Sequence, residues 1–161
     1  MAAQEQYEEL ARQLSAVAAV RRDLGRLLPP DCSPASAVVL ALVQKHGELR
    51  MSRLAELMAV DMSVTSRHVT YATEHGWLER HPDPADRRSR LLSLSPDGEA
   101  LLREVSARYT EALATCLQDW SDDDIGALTG LLARLRTSFG DCRARPPQHQ
   151  PVPAAEAAVA G

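Results

Sequence analysis

The fold is decided by residues 52–98, SRLAELMAVDMSVTSRHVTYATEHGWLERHPDPADRRSRLLSLSPDG. The first part of this stretch predicts a short helix, because Leu54, Leu57 and Met58 repeat at the spacing of one helical face. Ser52 favours the N-cap position, since its hydroxyl can accept a hydrogen bond from a free backbone N–H. We therefore expect the helix to begin at Ser52 and to end near Val60.

A second helix is predicted from Asp61, which can serve as its N-cap. At helical spacing its two faces differ in polarity. The inward positions are Thr65, His68, Val69 and Ala72, and the outward positions are Ser63, Ser66, Arg67, Thr70 and Glu74. The outward face is almost wholly polar, as on a helix that meets solvent or a polar partner.

A charged hairpin is predicted to follow. Gly76 suits a left-handed position after the helix, and Trp77–His81 and Arg90–Leu94 are predicted strands around HPDPADRRS. Ser95 and Pro96 begin another helix. Helix, turn, polar helix and basic hairpin form the outline of a winged helix-turn-helix, whose second helix enters the DNA major groove while the wing reaches adjacent backbone or minor groove.

Long helices flank this unit on both sides. Residues 4–28 form a predicted helix with one narrow apolar stripe. A second helix is predicted from Ser33-Pro34 to His46-Gly47, and the segment GELRM after it is predicted to be a short strand. Residues 96–119 form a long helix, and Ser121 begins a last one with a capping box and three aspartates. Apolar stripes at both chain ends predict a dimer that buries them across a two-fold axis.

The expected fold class is therefore mainly α with a small β wing. One domain is predicted over residues 1–142, with a winged helix-turn-helix at 33–95 and dimerisation helices at 4–28 and 96–140. Residues 143–161 contain four of the ten prolines and no apolar periodicity, so we expect a disordered tail.

Composition limits the function classes. The formal net charge of −4 argues against indiscriminate coating of nucleic acid, and residues 50–90 hold seven Arg against six Asp and Glu. Cys32, Cys116 and Cys142 have no CxxC spacing, and there is neither a signal peptide nor a membrane-length apolar run, so a cytoplasmic location is expected. The absence of a phosphate loop, of a GxSxG elbow and of a carboxylate pair in an identifiable cleft argues against an enzyme.

Three segments resemble MarR-family transcriptional regulators, over about residues 5–140: LAELMAVDMSVTSRHV, GWLERHPDPADRRSRLLSLSPDG and WSDDDIGALTGLLARL. Ser66 and Arg67 stand in the place of the family's Thr-Arg pair, and DPADRR lies at the family's distance before LSLSPDG. The resemblance implies a homodimer built by the first, fifth and sixth helices.

The expected DNA contacts come from the polar helix and the wing. Arg67 is the expected specificity residue, because an arginine that forks onto guanine discriminates bases, whereas hydroxyls mostly anchor phosphates. Asp86 is expected to orient a neighbouring arginine for the minor groove. Tyr71 is expected either to contact backbone phosphate or to lie at the surface. The full set is Ser63, Ser66, Arg67, Thr70, Tyr71, Arg87, Arg88 and Arg90.

Two modes of control are open. Many relatives bind small phenolic acids between the dimer helices and the winged domain. The candidate partners of such an aromatic or anionic effector are here Arg12, Arg21, Arg22 and His46. Each of these residues can also be plain surface charge. The resemblance also includes oxidant sensors with a cysteine in the first helix, which this chain lacks, so a redox role would fall to Cys32 at a helix N-terminus. Cys116 is expected to be a small buried residue.

No cofactor or metal is expected. His68, His75 and His81 lack a cysteine or carboxylate at zinc spacing, and His68 is expected to be a core histidine. The sequence thus predicts a sequence-specific DNA-binding regulator, a repressor that binds a pseudo-palindromic operator as a homodimer and is released by a small molecule. The alternatives are a thiol-based redox regulator of the same fold and a winged helix that binds another protein.

Overall fold

The computed structural model describes residues 3–144, and of Arg87 and residues 140–144 it describes the backbone only. The elements follow in the order α1 (Gln4–Gly25), α2 (Pro34–His46), β1 (Leu49–Arg50), α3 (Met51–Met58), α4 (Met62–Glu74), β2 (Leu78–Asp83), β3 (Asp86–Leu94), α5 (Pro96–Cys116) and α6 (Asp122–Ala144). The prediction of a mainly helical protein with a small antiparallel wing is confirmed.

The winged unit has one apolar core, to which α2, α3, α4, the sheet and the first half of α5 contribute. The repeat predicted for α4 is confirmed for Thr65, Val69 and Ala72, which are buried, whereas His68 is half-buried. The largest fully buried side chains are Leu40, Leu54, Leu78, Leu92, Val39, Val43 and Val69. Burial of one such aliphatic side chain contributes about 1.5–3 kcal/mol, so this core fixes how α4 is presented.

The helix starts agree only partly with the predictions. At α2, the Ser33 hydroxyl accepts from the Ser36 N–H at 3.0 Å, as expected of an N-cap. At α3, however, Arg50 holds the N-cap position and Ser52 lies inside the helix, because the backbone leaves β1 directly into the first turn. Asp61 is the N-cap residue of α4, but its side chain makes no capping hydrogen bond.

Two residues in left-handed backbone conformation set the turns around α4. Ala59 has φ 54° in the turn between α3 and α4, and Gly76 has φ 73° after α4. The left-handed position at Gly76 was expected, because glycine adopts it without steric cost. Strand β2 can therefore begin at Leu78, shortly after α4 ends.

The wing is a longer hairpin than the sequence indicated. The sheet has the strand order β1-β3-β2, with Leu49 opposite Leu92 and Asp83 opposite Asp86. The segment HPDPADRRS, expected to be a loop, is mostly strand, so only Pro84 and Ala85 remain between the strands. Polar residues extend as strands here because backbone pairing, and not apolar alternation, holds an exposed hairpin.

The described chain divides into two compact units, Met1–Cys116 and Leu117–Gly161. In the first unit, α1 has no buried residue and exposes Leu10, Leu14 and Val17 along one stripe. The predicted helix at 4–28 ends earlier, at Gly25, and Leu28 is buried beyond it. Cys116, expected to be buried, is exposed at the end of α5.

The second unit consists, in its described part, of α6 and the turn before it. The predicted capping box is confirmed, since the Ser121 hydroxyl donates to Asp124 Oδ2 at 2.6 Å and the Asp124 N–H donates back to Ser121 Oγ at 3.2 Å. The apolar side chains of α6 are exposed: Ile125, Leu128, Leu131, Leu132 and Phe139. The predicted tail at 143–161 lies, except for Arg143 and Ala144 in α6, outside the described residues. None of the described helices is long and apolar enough to cross a membrane.

Candidate nucleic-acid interface

The outward face of α4 is a row of short polar side chains around one arginine. Ser63, Ser66, Arg67 and Thr70 are all exposed, as the helical pattern predicted. The Arg67 guanidinium has no carboxylate within ion-pair distance among the described residues. An unpaired arginine on an exposed helix has all its N–H groups available for a planar acceptor such as a guanine edge or a phosphate.

A second arginine adjoins this face from the wing. Arg80, on β2, donates from Nη2 to the Thr70 hydroxyl on α4 at 3.2 Å. The sequence placed Arg80 among the charges of the hairpin but did not assign it to the site, because its position beside Thr70 depends on how β2 packs against α4. The structure thus joins the helix and the wing into one polar surface.

The wing tip is shaped by hydrogen bonds to the Asp86 side chain. Its Oδ1 accepts from the Arg88 backbone N–H at 3.0 Å and its Oδ2 from the Ser89 hydroxyl at 2.8 Å. These bonds lower the pKa of Asp86, the Ser89 hydroxyl having the larger effect. Arg88 and Arg90 form no ion pair with Asp86, and orientation of Arg87 by Asp86 stays a prediction. Arg88 and Arg90 are exposed, and the Arg87 side chain lies outside the description.

Asp83, at the start of the wing turn, binds an arginine from another strand. Arg50, at the end of β1, places Nε at 2.7 Å and Nη2 at 2.5 Å from Asp83 Oδ2. Oδ1 accepts from the Ala85 N–H at 2.8 Å. The Ala85 N–H first, and Arg50 after it, hold the pKa of Asp83 below its usual value. Sequence reasoning missed this pair, which fixes the base of the wing to the start of α3.

Comparisons with known proteins agree with this geometry. The MarR family model matches residues 31–89, which include α2, the helix-turn-helix and most of the wing. The multiple antibiotic resistance protein MarR of Salmonella typhimurium is 28% identical over 110 residues, which cover 68% of this chain and 76% of that protein. Over this stretch the chain is similar to the MarR family.

Solved structures extend the likeness to the fold. A MarR family protein from Bacillus stearothermophilus is 24% identical with a TM-score of 0.77, covering 87% of this chain and 99% of that one. A mutant MarR of E. coli complexed with operator DNA is 23% identical with a TM-score of 0.61, covering 80% and 96%. Another similar protein is the HTH-type transcriptional repressor MdtR of Bacillus subtilis, 29% identical over 103 residues, which cover 64% of this chain and 66% of that protein.

Tyr71 has a packing role. Its hydroxyl donates to the Asp31 carbonyl at 2.8 Å, and its ring stacks on His75 at 4.0 Å and lies edge-on to Trp77 at 6.1 Å. A phenol has a single proton to donate, so the hydroxyl cannot donate to a phosphate while this bond exists. Of the two predicted roles, the structure favours the one without DNA contact, in which Tyr71 ties α4 to the segment before α2.

Cys32 does not have the environment of a redox sensor. Its side chain is 4% exposed, and Sγ donates to the Ser33 carbonyl at 3.7 Å. Burial raises the pKa of the Cys32 thiol, so the reactive thiolate is disfavoured. The prediction relied on the N-terminus of α2, but there the Ser36 N–H is bound by Ser33 and desolvation dominates.

The four candidate effector residues are not together. Arg21 lines a cavity of about 530 Å³ between α1, α2 and α5, and Arg21 and Arg22 both line a neighbouring one of about 490 Å³. Arg12 is instead ion-paired with Glu9 at 2.7 Å. His46 is exposed at the last position of α2. Only Arg21 and Arg22 are therefore placed to meet a molecule in these cavities.

Proposed function

We propose that this chain is a homodimeric repressor that binds a pseudo-palindromic operator in double-stranded DNA and is released by a small molecule. The observation that carries the proposal is a set of exposed arginines without carboxylate partners among the described residues, on α4, β2 and β3. Such charge is stabilised by a polyanion, which its own surface does not supply. Because the proposed target is promoter DNA, we propose the cytoplasm as the location of the protein.

Two kinds of contact are proposed. Arg67 reads a base edge in the major groove, and Ser63 and Ser66 hold phosphates beside it. From the wing, Arg87, Arg88 and Arg90 reach the adjacent minor groove or backbone, where a narrow groove attracts guanidinium groups. Tyr71 is left out of the contact set, since its hydroxyl proton is engaged by Asp31.

The dimer is proposed from two exposed apolar stripes, one on α1 and one on α6. Leu131 is 63% exposed and Leu10 is 44% exposed, which is unusual for a row of leucines on a helix that remains in water. We propose that residues 1–142 act as one functional unit, in which helices 4–28 and 96–140 bury these stripes against a second copy and so present two units 33–95 to successive major grooves.

Release by a ligand is proposed through the cavity between α1, α2 and α5. Its volume of about 530 Å³ lies in the range that accepts a small aromatic molecule, and Arg21 supplies a positive charge at its wall. An aromatic acid that binds there and favours the spacing of the two winged units that does not fit the operator would lower DNA affinity. Thermal shift in the presence of aromatic acids tests this, with Arg21→Ala as the variant expected to lose the shift.

The central experiment selects bound duplexes from a random pool and then measures affinity for the recovered site and for a scrambled duplex. Arg67→Ala is expected to weaken the recovered site by about 1–3 kcal/mol while the scrambled duplex changes little, because only base readout is lost. Arg103→Ala, on α5, removes an arginine that is ion-paired with Glu99 and is the matched control. Equal losses on both duplexes would remove Arg67 from the specificity role.

Salt dependence separates a DNA reader from a winged helix that binds another protein. Binding to several phosphates makes log affinity fall linearly and steeply with log salt, whereas an apolar protein interface is much less sensitive. A chain that binds no duplex even at low salt would contradict the proposed function.

The dimer is tested on α6 by Leu132→Glu, which places a charge in the apolar stripe, against Thr137→Glu on the opposite face. We expect the first variant to sediment as a monomer and to lose tight operator binding, and the second to remain a dimer. A wild-type chain that is monomeric at micromolar concentration would contradict the dimer.

A further inference from the structure

The hydrogen bond between Arg80 and Thr70 joins two exposed groups from different elements. Arg80 belongs to β2 and Thr70 to the outward face of α4, and Nη2 lies 3.2 Å from Oγ1. Both residues are exposed, and Arg80 has no carboxylate within ion-pair distance among the residues described. The guanidinium is thus held in one place and still retains its charge.

Several arginines on the exposed helices form ion pairs, unlike Arg80 on β2. On α1, α3 and α5, several arginines contact a glutamate three or four residues away along the same helix: Arg12, Arg53, Arg103 and Arg108. Arg80 contacts a neutral hydroxyl instead. An ion pair neutralises the cation, whereas a hydroxyl orients it and leaves the charge available for an anion from outside.

The pair presents two kinds of donor side by side. A threonine hydroxyl has one proton and two lone pairs, so Thr70 can accept from Arg80 and still donate its own proton outward. The guanidinium has further N–H groups besides the one it gives to Thr70. Adjacent hydroxyl and guanidinium donors at the side of a recognition helix match the oxygens of a phosphodiester, which accept charge-assisted hydrogen bonds.

We propose that Thr70 and Arg80 together bind one backbone phosphate of the DNA at the edge of the groove that α4 enters. The inference rests on the proposed function and adds a contact residue, Arg80, from outside the helix and the wing tip. Its role differs from that of Arg67, because a phosphate contact fixes the position of the protein on DNA and adds affinity without sequence information.

A purely supporting role for Arg80 predicts different behaviour. A hydrogen bond between two exposed side chains adds little to the stability of a fold, because water replaces it. If Arg80 only supported α4, its loss would disturb base readout on the operator with at most a small fall in melting temperature, and it would not change the number of phosphates neutralised. The salt dependence of DNA binding therefore distinguishes the two roles.

The test measures affinity against salt concentration by fluorescence anisotropy, for the selected operator and for a scrambled duplex. The variants are Arg80→Ala, Thr70→Val and their double variant, with Arg103→Ala as control. Arg80→Ala is expected to weaken both duplexes by about tenfold and to reduce the slope of log affinity against log salt by about 0.9 for each subunit bound. The control is expected to keep the wild-type slope.

Thr70→Val tests the pairing itself, since valine has the shape of threonine without the hydroxyl. It removes both the support of Arg80 and one donor, so the double variant is expected to lose less than the product of the two single losses. Arg80→Lys keeps the charge and is expected to retain most of the salt slope while losing part of the affinity.

Three results would overturn the inference. They are an Arg80→Ala slope equal to that of Arg103→Ala, a loss confined to the operator, and a lowered melting temperature with an unchanged slope. If wild-type protein shows no salt-dependent binding to any duplex, the proposed function fails and the inference falls with it. If the wild-type protein shows salt-dependent binding and the Arg80 variants have the same salt slope as the control, the inference fails but the proposed function stands.

Discussion

Arg50 and Asp83 connect the start of the helix-turn-helix to the base of the wing. Arg50 holds one carboxylate oxygen with Nε at 2.7 Å and Nη2 at 2.5 Å, and the other oxygen accepts from the Ala85 N–H at 2.8 Å. The Asp83 side chain is 6% exposed, against 46% for Arg50. Both carboxylate oxygens are therefore engaged, and the direction in which the wing leaves the core depends on this pair.

Arg50→Ala is expected to weaken operator binding through the wing. Without Arg50 the enclosed carboxylate loses its cation, and the turn that carries Arg88 is no longer fixed to α3. The variant should also unfold at lower urea concentration. Arg53→Ala removes a neighbouring arginine whose pair with Glu56 is exposed, and it should change neither property appreciably. Equal effects of the two variants in urea titration and anisotropy would contradict a special role for Arg50.

The same carboxylate predicts a dependence of stability on pH. The pKa of Asp83 is lowered in the folded state, mainly by the Ala85 N–H and then by Arg50. A lowered pKa contributes stability above the unfolded value of 3.8, and that contribution is lost as pH falls through the folded pKa. Asp83→Asn lacks this contribution, so its deficit relative to wild type should be largest at pH 7 and should shrink below pH 4. Urea titrations at several pH values measure this, and a constant deficit would contradict it.

Tyr71→Phe separates the packing of Tyr71 from a DNA contact. The ring can still stack on His75, but the hydrogen bond to the Asp31 carbonyl is lost, at a cost of about 1 kcal/mol in unfolding free energy. We expect weaker operator binding with an unchanged salt slope, because α4 loses a support and no phosphate contact. A reduced slope with unchanged stability would return Tyr71 to the contact set.

Much of the fold was readable from local patterns, and what was missed is non-local. The inward repeat of α4, the glycine after it and the capping box at Ser121 involve residues a few positions apart, so the sequence displays them directly. The contact of Arg50 with Asp83 joins residues 33 apart, and that of Tyr71 with Asp31 joins residues 40 apart. Such pairs exist only after the helices and strands have packed.

Residue preferences also gave two wrong predictions, the N-cap of α3 and the length of the wing hairpin. Ser52 has the preferred N-cap side chain, but the chain turns into α3 two residues earlier, so Arg50 takes that position. The wing segment contains two prolines and two aspartates, which favour turns, yet β2 continues to Asp83 because Pro82 lies at the strand edge opposite Arg90. Propensity gave the existence of the hairpin but not its length.

Cys32 is expected to resist alkylation in the native protein. Its thiol is buried and its pKa is raised, so the nucleophilic thiolate is both rare and shielded. Iodoacetamide labelling followed by mass spectrometry should modify Cys32 only in denaturant. Rapid native labelling of Cys32, or loss of operator binding on oxidation that Cys32→Ser abolishes, would restore the redox alternative.

Among the glycines of the winged unit, Gly98 is expected to tolerate substitution least. It lies in the first turn of α5, where a Cβ would come within 2.1 Å of the Trp77 carbonyl oxygen. The Gly98 N–H also donates to Ser95 Oγ at 3.0 Å, and the Ser95 hydroxyl donates to the Gly76 carbonyl, so the backbone has little room to move.

Gly98→Ala should therefore destabilise the fold by about 3 kcal/mol, as overpacking against fixed backbone does. Gly126→Ala is the matched control, because among the described residues beyond its own helix backbone no atom lies within 4 Å of the position that a Cβ would take. There alanine should stabilise by about 0.5–1 kcal/mol, through the better helix propensity alone. Urea unfolding of both variants measures the difference, and a Gly98→Ala protein as stable as wild type would show that α5 can shift away from Trp77.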